Sequence, residues 1–467
     1  MFSLVQLAAP GRDRQWILMD WKTCLPLLYP LRYCTDHLAF RALSTQSASL
    51  QAIKFFYEFW LQKHHVTFCY SFHNSGHDPL IAIHEMDSFF HYLENGRTCQ
   101  PNILTFPLTK DTNQITNGVR IHAVIRFISF LINTYISPVY QDGSPKELSN
   151  LASRLHTRLI LCKEEYRVLS PSKGFGRSDS YHGFQSMTSD MVMSIYRIIT
   201  PNSNKKTNLL NPFPTVNIQL RNFLIVRLLL NYGLRISELL LLECNSIKRN
   251  IRGDKYSLII TSTDEVEDPR KRAPSLKNVY AHRVLELDIQ DYKFLMAYID
   301  KIRPSIEHHD FIFTALQRND KPLSYNAVHA IFLHIDSAFE KKFPEYKSSE
   351  HFDAIRRLTP HVTRHTWANL TLHKIYWDKY HKYTQTAQLA EVDFSIHGLM
   401  EEAKEELRLI GGWSMKSRMP DLYAKRFLSE RANTANLRRI EQDNSASDEL
   451  INLIVEGLND ATDEQTN

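Results

Sequence analysis

The sequence predicts a mainly α-helical protein with one small β-hairpin or sheet, the hairpin belonging to an α+β second domain. Three observations carry this. Fourteen glycines in 467 residues are too few for a turn-dense β fold. Apolar residues in the first third recur at three- and four-residue spacing, the period of a helix face. Residues 255–263 and 279–287 are rich in β-branched and apolar types and flank a charged, Pro-containing stretch, 264–274, the pattern of a hairpin with a long tip.

The elements follow in order. Residues 1–24 form an N-terminal extension with no clear pattern. Residues 25–165 read as a compact helical domain. Leu50, Ile53, Phe56, Tyr57 and Trp60 make one stripe, and Leu80, Ile83, Met86, Phe89, Phe90 and Leu93 a second. Val124, Phe127, Ile128 and Leu131 make a third. Aromatic side chains at such spacing are expected in a core. Residues 166–185 read as a linker, because Ser170-Pro171-Ser172-Lys173-Gly174-Phe175-Gly176-Arg177-Ser178 is polar, Gly- and Ser-rich and basic. It is either a plain loop or a segment lying along a phosphate backbone. Residues 186–440 form the second domain, with a helix stop and restart at Asn231-Tyr232-Gly233. Residues 441–467 are an acidic tail.

Composition narrows the class. Hydrophobic content of 43% with 23% charged residues fits a soluble globular chain. The net charge of +5 hides an asymmetry. From Glu441 onward there are eight acidic residues and no Lys or Arg; removing them from the 51 acidic residues leaves 43 against 56 basic, a body of +13. Such a body suits a polyanionic partner. The six cysteines contain no Cys-x-x-Cys pair and no metal spacing with histidine, so free thiols in a reducing compartment are expected. The strongest apolar run, 223–242, is broken by Arg227, Asn231, Arg235 and Glu238, so no membrane span is expected. The N-terminus lacks the pattern of a secretion signal.

The residues with chemical potential are few. Arg235 opens a helix, with Glu238 one turn on and within reach. A guanidinium held by a carboxylate donates two parallel bonds to phosphate; alone, the pair is an ordinary surface salt bridge. His361 and Arg364 are three apart and share a helix face, with Thr359 the expected cap and Pro360 in the first turn. His365 is expected to face elsewhere and to serve structure. A helix striped by Leu399, Ala403, Leu407 and Ile410 should end at Gly411-Gly412, followed by Trp413, whose indole N–H is a donor. Tyr423 is a phenol, a poor nucleophile unless cations favour its phenolate. A departing 5′ oxygen needs a proton, and a lysine near the hairpin tip could supply it: Lys277 first, Lys271 second, Lys255 third.

In this order, Gly233-Leu234-Arg235-Ile236-Ser237-Glu238-Leu239, Lys277 before Arg283-Val284-Leu285-Glu286-Leu287, His361-Val362-Thr363-Arg364-His365-Thr366, Ile410-Gly411-Gly412-Trp413-Ser414 and Tyr423 resemble the tyrosine recombinase (phage integrase) family. The resemblance implies a helical core-binding domain and a catalytic domain forming a C-shaped DNA clamp. It implies a site-specific recombinase in which Tyr423 is the nucleophile, Arg235, Arg364, His361 and Trp413 hold the phosphate, Lys277 is the general acid and Glu238 supports. The reaction passes through a 3′-phosphotyrosine with no metal or nucleotide cofactor. The partners are duplex DNA carrying recombination sites and further copies of the chain: a dimer per site and a tetramer on two. The expected location is cytoplasmic and nucleoid-associated, in a bacterium, phage or mobile element. By the same resemblance, the apolar stripe Leu450, Ile451, Leu453, Ile454, Val455 and Leu458 would dock on a neighbouring protomer.

Three departures stand out. The gap from Arg235 to Lys277 is 42 residues and that from Arg364 to Tyr423 is 59, both long. The second holds a His- and aromatic-rich stretch, 373–397, either a protein-contact element or a long loop. Trp413 stands where many members have histidine, and both donate a hydrogen bond. Two other functions compete: a type IB topoisomerase-like relaxation of DNA, and a catalytically silent DNA-binding accessory protein.

Overall fold

The structure, a computed structural model, describes residues 2–7, 14–95, 111–139, 144–166, 185–203, 207–262, 268–270, 273–316, 321–348, 350–351, 353–390 and 398–445. It is mainly helical with two small antiparallel sheets. The chain divides into two compact units, Met1–Ser178 and Asp179–Asn467. The linker stretch 170–178, Lys271 and the tail from 446 onward lie outside the described residues.

The first unit begins with strands β1 (Phe2–Leu7), β2 (Gln15–Asp20) and β3 (Leu25–Pro26), in that order across one antiparallel sheet. Helices α1 (Leu28–Tyr33), α2 (Leu43–His64), α3 (Phe68–Asn74), α4 (Leu80–Ile83), α5 (Met86–Asn95), α6 (Asp111–Val139) and α7 (Pro145–Glu165) follow. Residues 2–7 and 15–20, within the 1–24 stretch read from sequence as a patternless extension, therefore build a sheet, and Phe2 and Leu18 join the helical core. The aromatic stripes are core, as expected: Phe56 meets Phe68 and Phe89 edge-on at 5.2 and 5.4 Å, and all three are fully buried. Each such side chain contributes about 1.5–3 kcal/mol of burial. Thr116–Ile136 within α6 is long and apolar enough to cross a membrane by composition, a candidate the sequence reading passed over. Ile121, Val124, Phe127, Ile128 and Leu131 are completely buried in the unit's core, which accounts for that apolarity.

The second unit holds α8 (Ser189–Ile199), α9 (Val216–Asn231), α10 (Ile236–Leu240), β4 (Ile247–Arg249), β5 (Tyr256–Ile260), β6 (Arg283–Leu287), α11 (Ile289–Lys301), α12 (Tyr325–Lys342), α13 (Pro360–Ala390), α14 (Leu399–Gly411) and α15 (Met419–Ser445). The expected hairpin is β5–β6, with Tyr256 opposite Leu287 and Ile260 opposite Arg283. A third strand, β4, too short to leave a sequence pattern, extends it to a sheet of three. Helix α9 is the central rod: Ile225 and Leu229 have no exposure, and α9 packs along α13. Most of the 373–397 stretch is helix, because α13 runs on to Ala390. Its Leu372 and Tyr376 pack with Leu399, Ala403 and Leu407 of α14 and Phe427 of α15. Helix α15 runs past residue 440 into the stretch read as tail.

Candidate active site

The site is built where α9 gives way to α10. Tyr232 caps α9, and Gly233 turns the chain at φ +59°. A Cβ there would lie 2.1 Å from the Trp367 ring, so both the backbone and the space require glycine. Arg235 then stands at the N-cap of α10, and its backbone N–H donates to Glu238 Oε2 at 3.0 Å. The expected Arg235–Glu238 ion pair is present, but it is no surface pair: Glu238 is 1% exposed.

Glu238 is the hub. The Arg235 guanidinium reaches its Oε1, Arg283 donates to Oε2 at 2.9 Å, and Arg364 lies 4.0 Å away. Burial pushes its carboxyl up, but Arg283, Arg364 and Arg235 outweigh this and hold it below the usual carboxylate range. Three guanidiniums therefore share one carboxylate. Burial and the nearby Arg235 both lower the pKa of Arg364, the mark of a cation short of counter-charge. An anion arriving here relieves that shortage.

Glycine carbonyls fix the arginines. Arg364 donates to the carbonyls of Gly233 and Gly411, and Arg235 to that of Gly412 at 3.2 Å. Gly412 ends α14 at φ +60°, where a Cβ would crowd the Arg283 guanidinium at 2.8 Å. Trp413 follows, 8% exposed, with the Arg364 guanidinium 4.6 Å above its ring.

Thr359 caps α13 as expected, accepting from the Val362 N–H at 3.3 Å, with Pro360 the first helical residue. His361 stands on the exposed side of this turn. Partial desolvation, then the charges of Arg364, Lys277 and Arg235, lower its pKa, so those three cations surround it. Lys277 is exposed, just ahead of β6. Lys255 precedes β5 at the opposite end of the hairpin from Arg283, and Lys271 falls outside the described residues.

Tyr423 lies in the second turn of α15, 3% exposed, its ring 6.0 Å from that of Trp413. Burial pushes its hydroxyl pKa up, while Arg364 and Arg235 pull the other way. The structure thus gathers Arg235, Glu238, His361, Arg364, Trp413 and Tyr423, with Lys277 at the edge.

Two further members were given no chemical role from the sequence. Arg283 joins β6 to the cluster through Glu238 and through a 2.8 Å bond to the Ile410 carbonyl. His365 does not face elsewhere: its Nδ1 is 2.6 Å from the Tyr423 hydroxyl, and its ring meets that of His361 edge-on at 4.2 Å. The signal was available, since positions 361 and 365 are one turn apart. Burial, then His361, Arg364 and Arg426, lower its pKa to about 3, so the ring is neutral. Among the described residues, no group of three or more His, Cys, Asp and Glu is placed to hold a metal. A cavity of about 440 Å³ beside the cluster shares Arg283 and Trp413 with it but not His365 or Tyr423.

Comparison with known proteins adds the following. Residues 202–375 match the model of the phage integrase family. That span includes Arg235, Lys277, His361 and Arg364 and stops short of Trp413 and Tyr423. No curated protein sequence matches the chain. Among solved structures, the Tn1549 transposon integrase (aa 82–397) in complex with circular intermediate DNA is 13% identical, with a TM-score of 0.38 over 83% of this chain and 99% of that one. The XerH site-specific recombinase bound to palindromic difH substrate, a post-cleavage complex, is 12% identical, with a TM-score of 0.38 over 77% and 93%. The segment 202–375 is thus similar to the phage integrase family, the tyrosine recombinases.

Proposed function

We propose that the chain is a site-specific DNA recombinase or integrase that cleaves and rejoins duplex DNA through a 3′-phosphotyrosine. The observation that carries this is the convergence of Arg235, Arg283 and Arg364 on one buried carboxylate, with a phenol beside them. Two of these arginines, His361 and Trp413 hold the scissile phosphate and stabilise the charge that grows on its oxygens. Tyr423 attacks phosphorus, and Lys277 protonates the departing 5′ oxygen. The partner strand's 5′-hydroxyl then reverses the step. No group in this scheme calls for a metal or a nucleotide. The positive body of the chain supports duplex DNA as the partner. The family resemblance supports a dimer on each site and a tetramer across two.

The test has two stages. Randomised duplexes are first selected for binding to the Y423F variant, which supplies the site. A nicked duplex carrying that site, whose cleaved end diffuses away, is then given to both proteins. The wild type should form a denaturant-resistant protein–DNA adduct, and Y423F should not. If the wild type binds the duplex and forms no adduct, the chain is a silent accessory binder. Supercoil relaxation without site preference would instead make it topoisomerase-like.

A further inference from the structure

Tyr423 is 3% exposed, so bulk water has little access to its hydroxyl. A phenol cannot attack phosphorus and keep its proton. The guanidiniums of Arg235 and Arg364 accept no proton. His365, on the opposite wall of the α13–α15 contact, presents Nδ1 2.6 Å from the Tyr423 hydroxyl. Phe427 packs on Tyr376 with ring centroids 4.9 Å apart, about three turns along α13, and holds the helices in that register.

We propose that His365 takes the Tyr423 proton during strand cleavage and returns it during resealing. This rests on the phosphotyrosine reading above. In cleavage the Tyr423 O–H bond breaks and its oxygen bonds to phosphorus. The bond from phosphorus to the 5′ oxygen breaks, and that oxygen takes a separate proton from the general acid. The products are the phosphotyrosine, a 5′-hydroxyl, an imidazolium at His365 and the deprotonated general acid. Resealing runs the same transfers backward, so the imidazolium protonates the departing phenolate and the general acid regains its proton from the attacking 5′-hydroxyl.

The ring's surroundings support this. The charged and titratable groups facing it include His361 and Arg364 on its own helix and Tyr423 and Arg426 on α15. Burial, then His361, Arg364 and Arg426, keep the ring unprotonated, so a lone pair is available. With the ring's own hydrogen on Nε2, Nδ1 accepts from the Tyr423 hydroxyl, the tautomer that the transfer requires. A bound phosphate brings negative charge into the cluster, offsets the arginines, and makes the imidazole more basic as the phenol loses its proton.

The test uses H365N, whose amide sits near the Nδ1 position and can hold the Tyr423 hydroxyl but cannot carry its proton. Single-turnover cleavage of the nicked duplex is followed at saturating protein from pH 6 to 9.5. A second duplex carries sulfur in place of the scissile 5′ bridging oxygen, a group that leaves without protonation. H365N should bind DNA like the wild type yet cleave both duplexes about 10²–10⁴-fold more slowly, with the deficit shrinking as hydroxide rises. K277A should recover on the sulfur duplex, and H365N should not. Cleavage by H365N within threefold of the wild type across the pH range overturns the proposal, as does its recovery on the sulfur duplex. If H365N loses its melting transition, H365Q carries the same comparison. Absence of any wild-type adduct is a different result: it removes the phosphotyrosine reading itself.

Discussion

Glu238 shows how far a single residue can be read from sequence. Its spacing from Arg235 was legible as a helix pair, yet its burial and its second and third arginines were not, because Arg283 is 45 residues and Arg364 126 residues away along the chain. The expectation that His365 faces elsewhere fails for a plainer reason: positions 361 and 365 are one helical turn apart and share a face. The three guanidiniums make a direct prediction. Glu238→Gln leaves them without a counter-charge in a buried place and should lower stability by about 3–5 kcal/mol at neutral pH. The sign with pH follows from the depressed carboxyl. Its stabilisation is complete above the ordinary glutamate value of about 4.3 and is lost as pH falls through the lower folded value. Urea midpoints from pH 7.5 to 3.5 should therefore show the gap between wild type and E238Q narrowing only below about pH 4. A gap that is constant across this range would sink the hub assignment.

At the scale of elements, amphipathic helices and the β5–β6 hairpin were legible because their periods differ. Strands β1 and β2 were not, since Phe2–Leu7 is broken by Ser3 and Gln6 without strict alternation and Gln15–Asp20 holds a run of only four apolar residues, so neither period decides anything. The extension of α13 was not legible, because the long gap from Arg364 to Tyr423 marks 373–397 as an insert and its aromatic and histidine content leaves open whether that insert is an ordered element or a loop. What ties the elements into a site is a set of helix ends: the α9–α10 turn and the end of α14 each supply glycine carbonyls to an arginine on another element. Gly233→Ala tests this. A left-handed alanine costs about 1–2 kcal/mol, and overpacking against Trp367 adds about 1–3 kcal/mol. The turn must move, and Arg364 with its carbonyl, so adduct formation should fall by about 10²-fold. Gly253 is the control. It also has positive φ, at +79°, but the nearest atoms its Cβ would meet belong to the flexible Arg249 side chain in an exposed turn. Gly253→Ala should lose some stability and keep the adduct rate. Equal losses of adduct in both variants would show that the carbonyls do not position the arginines.

For the whole molecule, the charge asymmetry has consequences of opposite sign. Helix α15 runs to Ser445, so a cut at that point spares the element that carries Tyr423. Deleting 446–467 removes Asp448, Glu449, Glu456, Asp460, Asp463 and Glu464 and no basic residue. A more positive chain should hold non-specific duplex several-fold tighter at about 50 mM salt. The difference should fade by about 300 mM, where the screening length drops to roughly 6 Å. The same deletion removes the apolar stripe from Leu450 to Leu458. If that stripe couples protomers, the truncated protein should form the adduct on a single site at the wild-type rate while failing to assemble four copies on two-site DNA. Mobility shifts across a salt series and the mass of the two-site complex read these separately. Tighter binding with intact assembly would leave the acidic residues a role in screening and deny the stripe any in coupling. Unchanged binding with lost assembly would do the reverse, because a charge effect cannot vanish at low salt, where it is largest.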